Sequence, residues 1–269
     1  MIKADSLLPA LITGANVESD DVFDVSDNME GVNAKIPEAK ISKDGVFLFP
    51  GNVIVQNFKA VILHHHGTRA YWLNPEATGS RPDCSSDNGY WANADSKKAC
   101  PINSQSRESN REKYGHEMYC DTCPMNAWGS DPKGGRGKGC KESHTLYVLA
   151  IDGDMASAVP YRLRLSPKSL APKDEFFTDL MGKRIPFQAI ITEFGLIKDN
   201  TNPAQPFSII TLQADPKLRL QRADQLVLKD LIEQYQSGFQ QVQDFSDTQE
   251  SSQPSSEAGN REAEEDLAF

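Results

Sequence analysis

No stretch of about 18 consecutive apolar residues occurs, which excludes a membrane-spanning helix. No Asn-x-Ser/Thr triplet occurs either, so asparagine-linked glycosylation is excluded. Positive charge is not in excess. The formal net charge of the 269 residues is -10, which rules out a strongly basic nucleic-acid binder while leaving room for a local cationic groove. Apolar residues are scarce at 38%, partly because both ends of the chain are polar. The N-terminal apolar stretch is broken by Asp5 and Pro9 and runs into acidic residues, which argues against a secretion signal. Cysteines are few and odd in number: five, all between positions 84 and 140. An odd set suits a disulfide framework poorly and suits a metal in a reducing cytoplasm well, so a cytoplasmic location is expected.

The chain has no internal repeat, and its layout reads as strands around one unusual segment. Residues 1–38 are polar, with Asp20, Asp21, Asp24 and Asp27 clustered, and are expected to form an N-terminal arm. Ile41 to Leu63 shows strand-like spacing with a turn at Pro50-Gly51, consistent with two antiparallel strands. Residues of about 67–144 hold all the cysteines and all three tryptophans, with few aliphatics, and no element of ordinary length fits there. So long a loop inside a domain needs a reason, and a metal supplies one. Strand signals resume over Thr145–Ile151, Val159–Leu165, Ile185–Phe194 and Phe207–Leu212. Helices are expected over Ser169–Met181 and Leu218–Tyr235. The whole reads as mainly β with α: an OB-like bent antiparallel barrel over 39–240, with an inserted loop-rich zinc subdomain.

Cys120-Asp121-Thr122-Cys123 is the strongest local signal. Two cysteines separated by two residues form a knuckle from which both sulfurs reach one tetrahedral ion. Cys84 and Cys140 sit in tight turns and complete the expected set, with Cys100 or His116 as substitutes. Four closed ligands mean a structural Zn2+, one per chain, rather than a catalytic one. The same thiolates could hold an iron–sulfur cluster. A redox CxxC is disfavoured, because no thioredoxin-like strand and helix surround it. His116-Glu117 opens like a zinc-protease motif but meets Cys120 where the second histidine belongs. His64, His65 and His66 alternate across a strand, so at most His64 and His66 could share an ion.

Bases and aromatics interleave through the same region: Arg69, Tyr71, Trp72, Arg81, Trp91, Trp128, Lys133, Arg136, Lys138 and Lys141, joined by Arg162 and Arg164 on a strand. Aromatic faces stack on unpaired bases while Lys and Arg follow phosphates, a combination indifferent to sequence. The competing reading makes Trp72 and Trp128 core filler of a lobe short of aliphatics. Residues 241–269 form the last segment, and from Asp244 to Phe269 it carries eight acidic residues and one basic. Such a composition cannot bury enough surface to fold, so a disordered acidic tail is expected. Asp266, Leu267 and Phe269 would present a short peptide to partner proteins.

The elements Arg81 to Gly89, Cys120 to Ser130 (Cys-Asp-Thr-Cys-Pro-Met-Asn-Ala-Trp-Gly-Ser) and Gly137 to Lys141 resemble a set of bacteriophage proteins linked to DNA replication and recombination. More loosely, the chain resembles phage single-stranded DNA-binding proteins. That resemblance implies an OB-fold, in some members with an inserted zinc site, and an acidic C-terminal tail that in one group ends in Phe. The expected function is sequence-independent binding of single-stranded DNA without catalysis, with replication or recombination proteins recruited through the tail. The rivals are a recombination mediator or transcription-associated zinc protein acting through protein contacts, and a zinc-dependent nuclease, for which no general base is assembled.

Overall fold

The computed structural model describes residues 35–74, 76, 80–199 and 207–239. The expected tail over 241–269 lies outside the described residues, as does the expected arm up to residue 34. Within them the strands are β1 (Glu38–Ile41), β2 (Phe47–Phe49), β3 (Val53–Val55), β4 (Phe58–Tyr71), β5 (Cys84–Ser86), β6 (Lys141–Ala150), β7 (Tyr161–Leu165), β8 (Ile190–Asp199) and β9 (Phe207–Arg219). The helices are α1 (Ser104–Tyr114), α2 (Leu170–Gly182) and α3 (Arg222–Phe239).

All the strands join one sheet in the order β3-β2-β1-β7-β6-β4-β8-β9, with β5 on β4. β4 organises it. Its first residues pair β8, its last residues pair β5, and β6 runs along its other edge. One seam departs from the expected antiparallel pattern: β1 and β7 are parallel, because a long excursion rather than a hairpin separates them. The sheet is therefore mixed.

The sheet is curled into a half-barrel, and ring contacts show how sharply. Four strand spacings separate β2 from β4, about 19 Å if the sheet were flat. Yet Phe47 and Phe49 of β2 meet Phe58 of β4 edge to face at centroid distances of 4.9 and 5.0 Å. The rim closes further where Ser208 Oγ of β9 donates to the Ser42 carbonyl after β1, at 2.6 Å. The concave side holds the main core, including Ile62, Leu146, Leu163, Phe194 and Ile210, and α2 caps one end with Phe176 and Leu180. The convex side buries Val61, Leu63, Tyr147 and Leu149 beneath Leu228 and Phe239 of α3. β4 is apolar on successive residues because both of its faces are covered.

The expected element boundaries shift in several places. Three short strands and the start of β4 replace the two expected before Leu63. β8 starts at Ile190, after a short turn at Phe187–Ala189, and β9 runs on to Arg219. The excursion between β4 and β6 is not all loop, since it contains α1, begun by the Asn103 side chain accepting from Ser106 N at 2.8 Å. Its buried residue is Asn110 rather than an aliphatic, so no hydrophobic period marks it.

Candidate functional site

The cysteine lobe spans the chain between β4 and β6. Cys84 opens β5, Cys120 and Cys123 bracket a tight turn, and Cys140 precedes β6. The knuckle is built by local bonds: Cys123 N donates to the Cys120 carbonyl at 3.1 Å, and Cys120 N donates to the Tyr90 carbonyl at 2.8 Å. Cys140 N donates to the Met125 carbonyl at 2.8 Å, which ties the knuckle to β6. Gly139 permits that approach, because a Cβ there would sit 2.9 Å from the Ser130 carbonyl oxygen.

Cys84, Cys100, Cys120, Cys123 and Cys140 all line one cavity of about 10 Å³, room for a single small ion. All five are free thiols. Cys100, set aside in favour of the other four on sequence, thus joins them, whereas His116 does not line the cavity and packs on Trp91 with ring centroids 5.0 Å apart. Burial pushes Cys120 up to about 11 and Cys140 up to about 12, and raises Cys123, whose sulfur receives backbone hydrogen bonds at Met125 and Asn126. The mutual influence of the Cys84 and Cys100 thiols raises the first and lowers the second. Crowding of this kind keeps most of the thiols protonated unless a cation enters. Among the described residues no three metal-ligating side chains stand grouped so as to hold an ion, so the thiols would have to rotate inward to grip one.

Arg69 also lines this cavity. Its Nη2 pairs with Asp121 at 3.0 Å, and its side chain is only 13% exposed. Its Nε and Nη1 are buried without a hydrogen-bond partner among the described residues. Its charge favours the thiolate at Cys120, Cys123 and Cys140. Unpartnered buried donors beside a thiol cluster are groups that thiolates would satisfy. Arg69, expected at a nucleic-acid groove, thus lines the thiol cavity, and so does Tyr71, which is 8% exposed within the lobe's core. The interleaving of bases and aromatics does not reveal which side chains a lobe will bury.

The remaining bases and aromatics separate into two regions. Trp128 stands 78% exposed, with Lys138 Nζ 5.2 Å from its ring centroid. Lys133 and Arg136 are exposed on the same loop, which turns through Gly134 and Gly135 at φ of 85° and 90°. Several cations are already engaged: Lys133 with Glu76 at 2.9 Å, Lys141 with Asp131 at 2.5 Å, and Arg81 with Asp95. Trp72 is half-buried and donates from Nε1 to the Ser80 carbonyl at 2.9 Å. Trp91 is half-buried against Tyr119, centroids 4.8 Å apart. Arg162 and Arg164 instead lie on the convex face, opposite Tyr147 and Thr145 in register, and Arg162 pairs with Glu38 at 3.2 Å. The expected single groove is thus split between a lobe and a sheet face.

No protein-family model, curated protein or solved structure matches this chain.

The histidine triplet divides as the strand period requires. His64 and His66 share the convex face with ring centroids 5.8 Å apart, while His65 turns towards α2 and packs on Phe177. There Lys173 Nζ donates to His144 Nδ1 at 3.1 Å, and His144 Nε2 faces His65 Nδ1 at 2.9 Å. A lysine can only donate, so His144 accepts at Nδ1, carries its proton on Nε2 and donates it to His65. Burial first, then the Lys173 charge, lower His144 to about 3 and His65 to about 4. The sequence carries no sign of this chain of bonds, because Lys173 sits in a helix whose pattern gives no reason to bury it.

Among the described residues no helix is long and apolar enough to cross a membrane.

Proposed function

We propose that this chain is a cytoplasmic single-stranded DNA-binding protein without catalytic activity, in which the half-barrel acts as an OB-like platform. The observation that carries the reading is Trp128, 78% exposed and backed by Lys138 on a glycine-turned basic loop. Exposing so large an apolar ring is costly unless something covers it. A flat ring beside cations fits the face of an unpaired base and the phosphate that follows. Zinc would be held by Cys84, Cys120, Cys123 and Cys140, with Arg69 donating to their thiolates. When bound, the ion would supply charge and crosslinking that hold the lobe, and with it the Trp128 loop, in place.

Binding to labelled oligo-dT and to a duplex of equal length, measured over a salt series, tests the reading. Single strands should bind more tightly, with affinity falling steeply as salt rises. Trp128→Ala should weaken that binding by about 1–3 kcal/mol while leaving the melting temperature unchanged. Equal binding to duplex, or a flat salt dependence, would overturn it.

A second reading, a recombination mediator working through protein contacts, is favoured by the pairing of Lys133, Lys141 and Arg81 with carboxylates. Trp128 would then be an anchor for a protein partner. Its truncation would abolish that contact and leave DNA affinity untouched.

A further inference from the structure

A tetrahedral zinc site is complete with four thiolates, and this cavity has five. The surplus thiol shares that cavity with the other four, and Cys84 and Cys100 pack in one buried cluster. Their backbones are tied together through one buried residue, Ser96. Its Oγ accepts from Ser85 N at 2.9 Å, and its carbonyl accepts from Cys100 N at 2.9 Å. Arg107 fixes the other side of the Cys100 turn, donating from Nη2 to the Cys100 carbonyl at 3.0 Å and from Nε to the Ile102 carbonyl at 2.9 Å. The two cysteines are therefore fixed at the wall of one small cavity by contacts that involve no metal.

We propose that Cys84 and Cys100 form a reversible redox pair, a modification site at which hydrogen peroxide closes a disulfide and opens the metal centre. One sulfur attacks a peroxide oxygen, giving a sulfenic acid and one water. The second sulfur then displaces the sulfenic hydroxyl as a second water, and the S–S bond forms. The two thiol hydrogens leave in the two waters, and the two electrons reduce the peroxide. Peroxide is little larger than water, which suits a small, nearly closed cavity. The disulfide removes Cys84 from the four ligands, and a site left with three thiolates holds zinc weakly. Only this last consequence rests on the zinc reading.

The full chain, as purified, is treated with hydrogen peroxide while zinc release is followed with a coloured chelator and disulfides are mapped by peptide mass. The expected result is a Cys84–Cys100 crosslink with loss of two hydrogens, release of the zinc, and recovery of both on treatment with dithiothreitol. In Cys100→Ser the metal should be retained at the start and released at least about tenfold more slowly under peroxide. A first crosslink between Cys120 and Cys123, or equally fast release from Cys100→Ser, would overturn the proposal. If the purified protein holds no zinc yet the Cys84–Cys100 crosslink forms, the zinc reading fails and the redox pair stands. If Cys100→Ser misfolds, the peptide map of the unaltered chain decides alone.

Discussion

Arg69 shows how one side chain can change a reading. On sequence it is one base among many; in the structure it is 13% exposed, lines the thiol cavity and keeps two donor nitrogens unpartnered among the described residues. Asp121 engages one of its nitrogens, and thiolates lining the cavity would satisfy the other two. The protein should therefore carry about one zinc per chain by elemental analysis. Cys123→Ser should lose the metal and Cys100→Ser should keep it. Arg69→Met, which removes the donors and leaves every thiol, should weaken zinc by about 10–100-fold in a chelator competition. Full retention of affinity in Arg69→Met would make the arginine a packing residue paired with Asp121. Trp128 is the opposite case, since no contact in the lobe's core requires so large a ring on an exposed loop.

Among the elements, α2 and α3 cover the two faces of the sheet in different ways. α3 is held by apolar burial, with Leu228 1% exposed against the convex core. Leu228→Ala should cost about 2–5 kcal/mol in denaturant unfolding, because the rigid sheet cannot collapse into the space left behind. α2 is held partly by the Lys173–His144–His65 chain. His65 and His66 are lowered from 6.5 to about 4 and His144 to about 3, in each case chiefly by burial. Between about 6.5 and about 4 the unfolded chain thus binds more protons than the folded one. Stability should then rise with pH across that window and reach full strength above it. The melting temperature should fall as pH is lowered from 6.5 towards 4, and His144→Gln should flatten the fall. An unchanged slope in His144→Gln would show that metal loss in acid, rather than these rings, sets the acid sensitivity.

At the largest scale, the half-barrel brings the end of the described chain onto the face that carries Tyr147 and Arg162. Phe239 closes α3 with its ring 5.3 Å from His64 and 4.6 Å from Tyr147. Tyr147 in turn is the register partner of Arg162. The chain that follows carries eight acidic residues and one basic from Asp244 to Phe269. An acidic segment in the chain that follows would compete with a phosphate backbone for the protein's cations. Deleting residues 244–269 should raise affinity for oligo-dT, most clearly at about 50 mM salt, where screening is weakest. Removing Phe269 alone should leave DNA affinity unchanged and abolish capture of a replication partner. If full truncation leaves affinity unchanged at low salt, the tail plays no part in DNA binding.

Local patterns determined much of this protein. The strands of β6, β7 and β9, the helices α2 and α3 and the turn at Pro50-Gly51 were all legible, because hydrophobic period and turn chemistry act over a few residues. The tight turn between Cys120 and Cys123 was legible for the same reason, since its geometry is local. Which distant residues meet is settled only when the sheet closes. The curl of the sheet, the parallel seam of β1 with β7, and the convergence of Cys100 on Cys84 depend on contacts far apart in the chain. So do the burial of Arg69 and Tyr71 away from any groove and the linking of Lys173 to His144. Helix α1 leaves no trace in the sequence, because a helix whose buried side chain is an asparagine shows no apolar period. Composition and spacing report what each segment prefers, whereas the placement of a charge or a thiol follows from the closing of the sheet around its core.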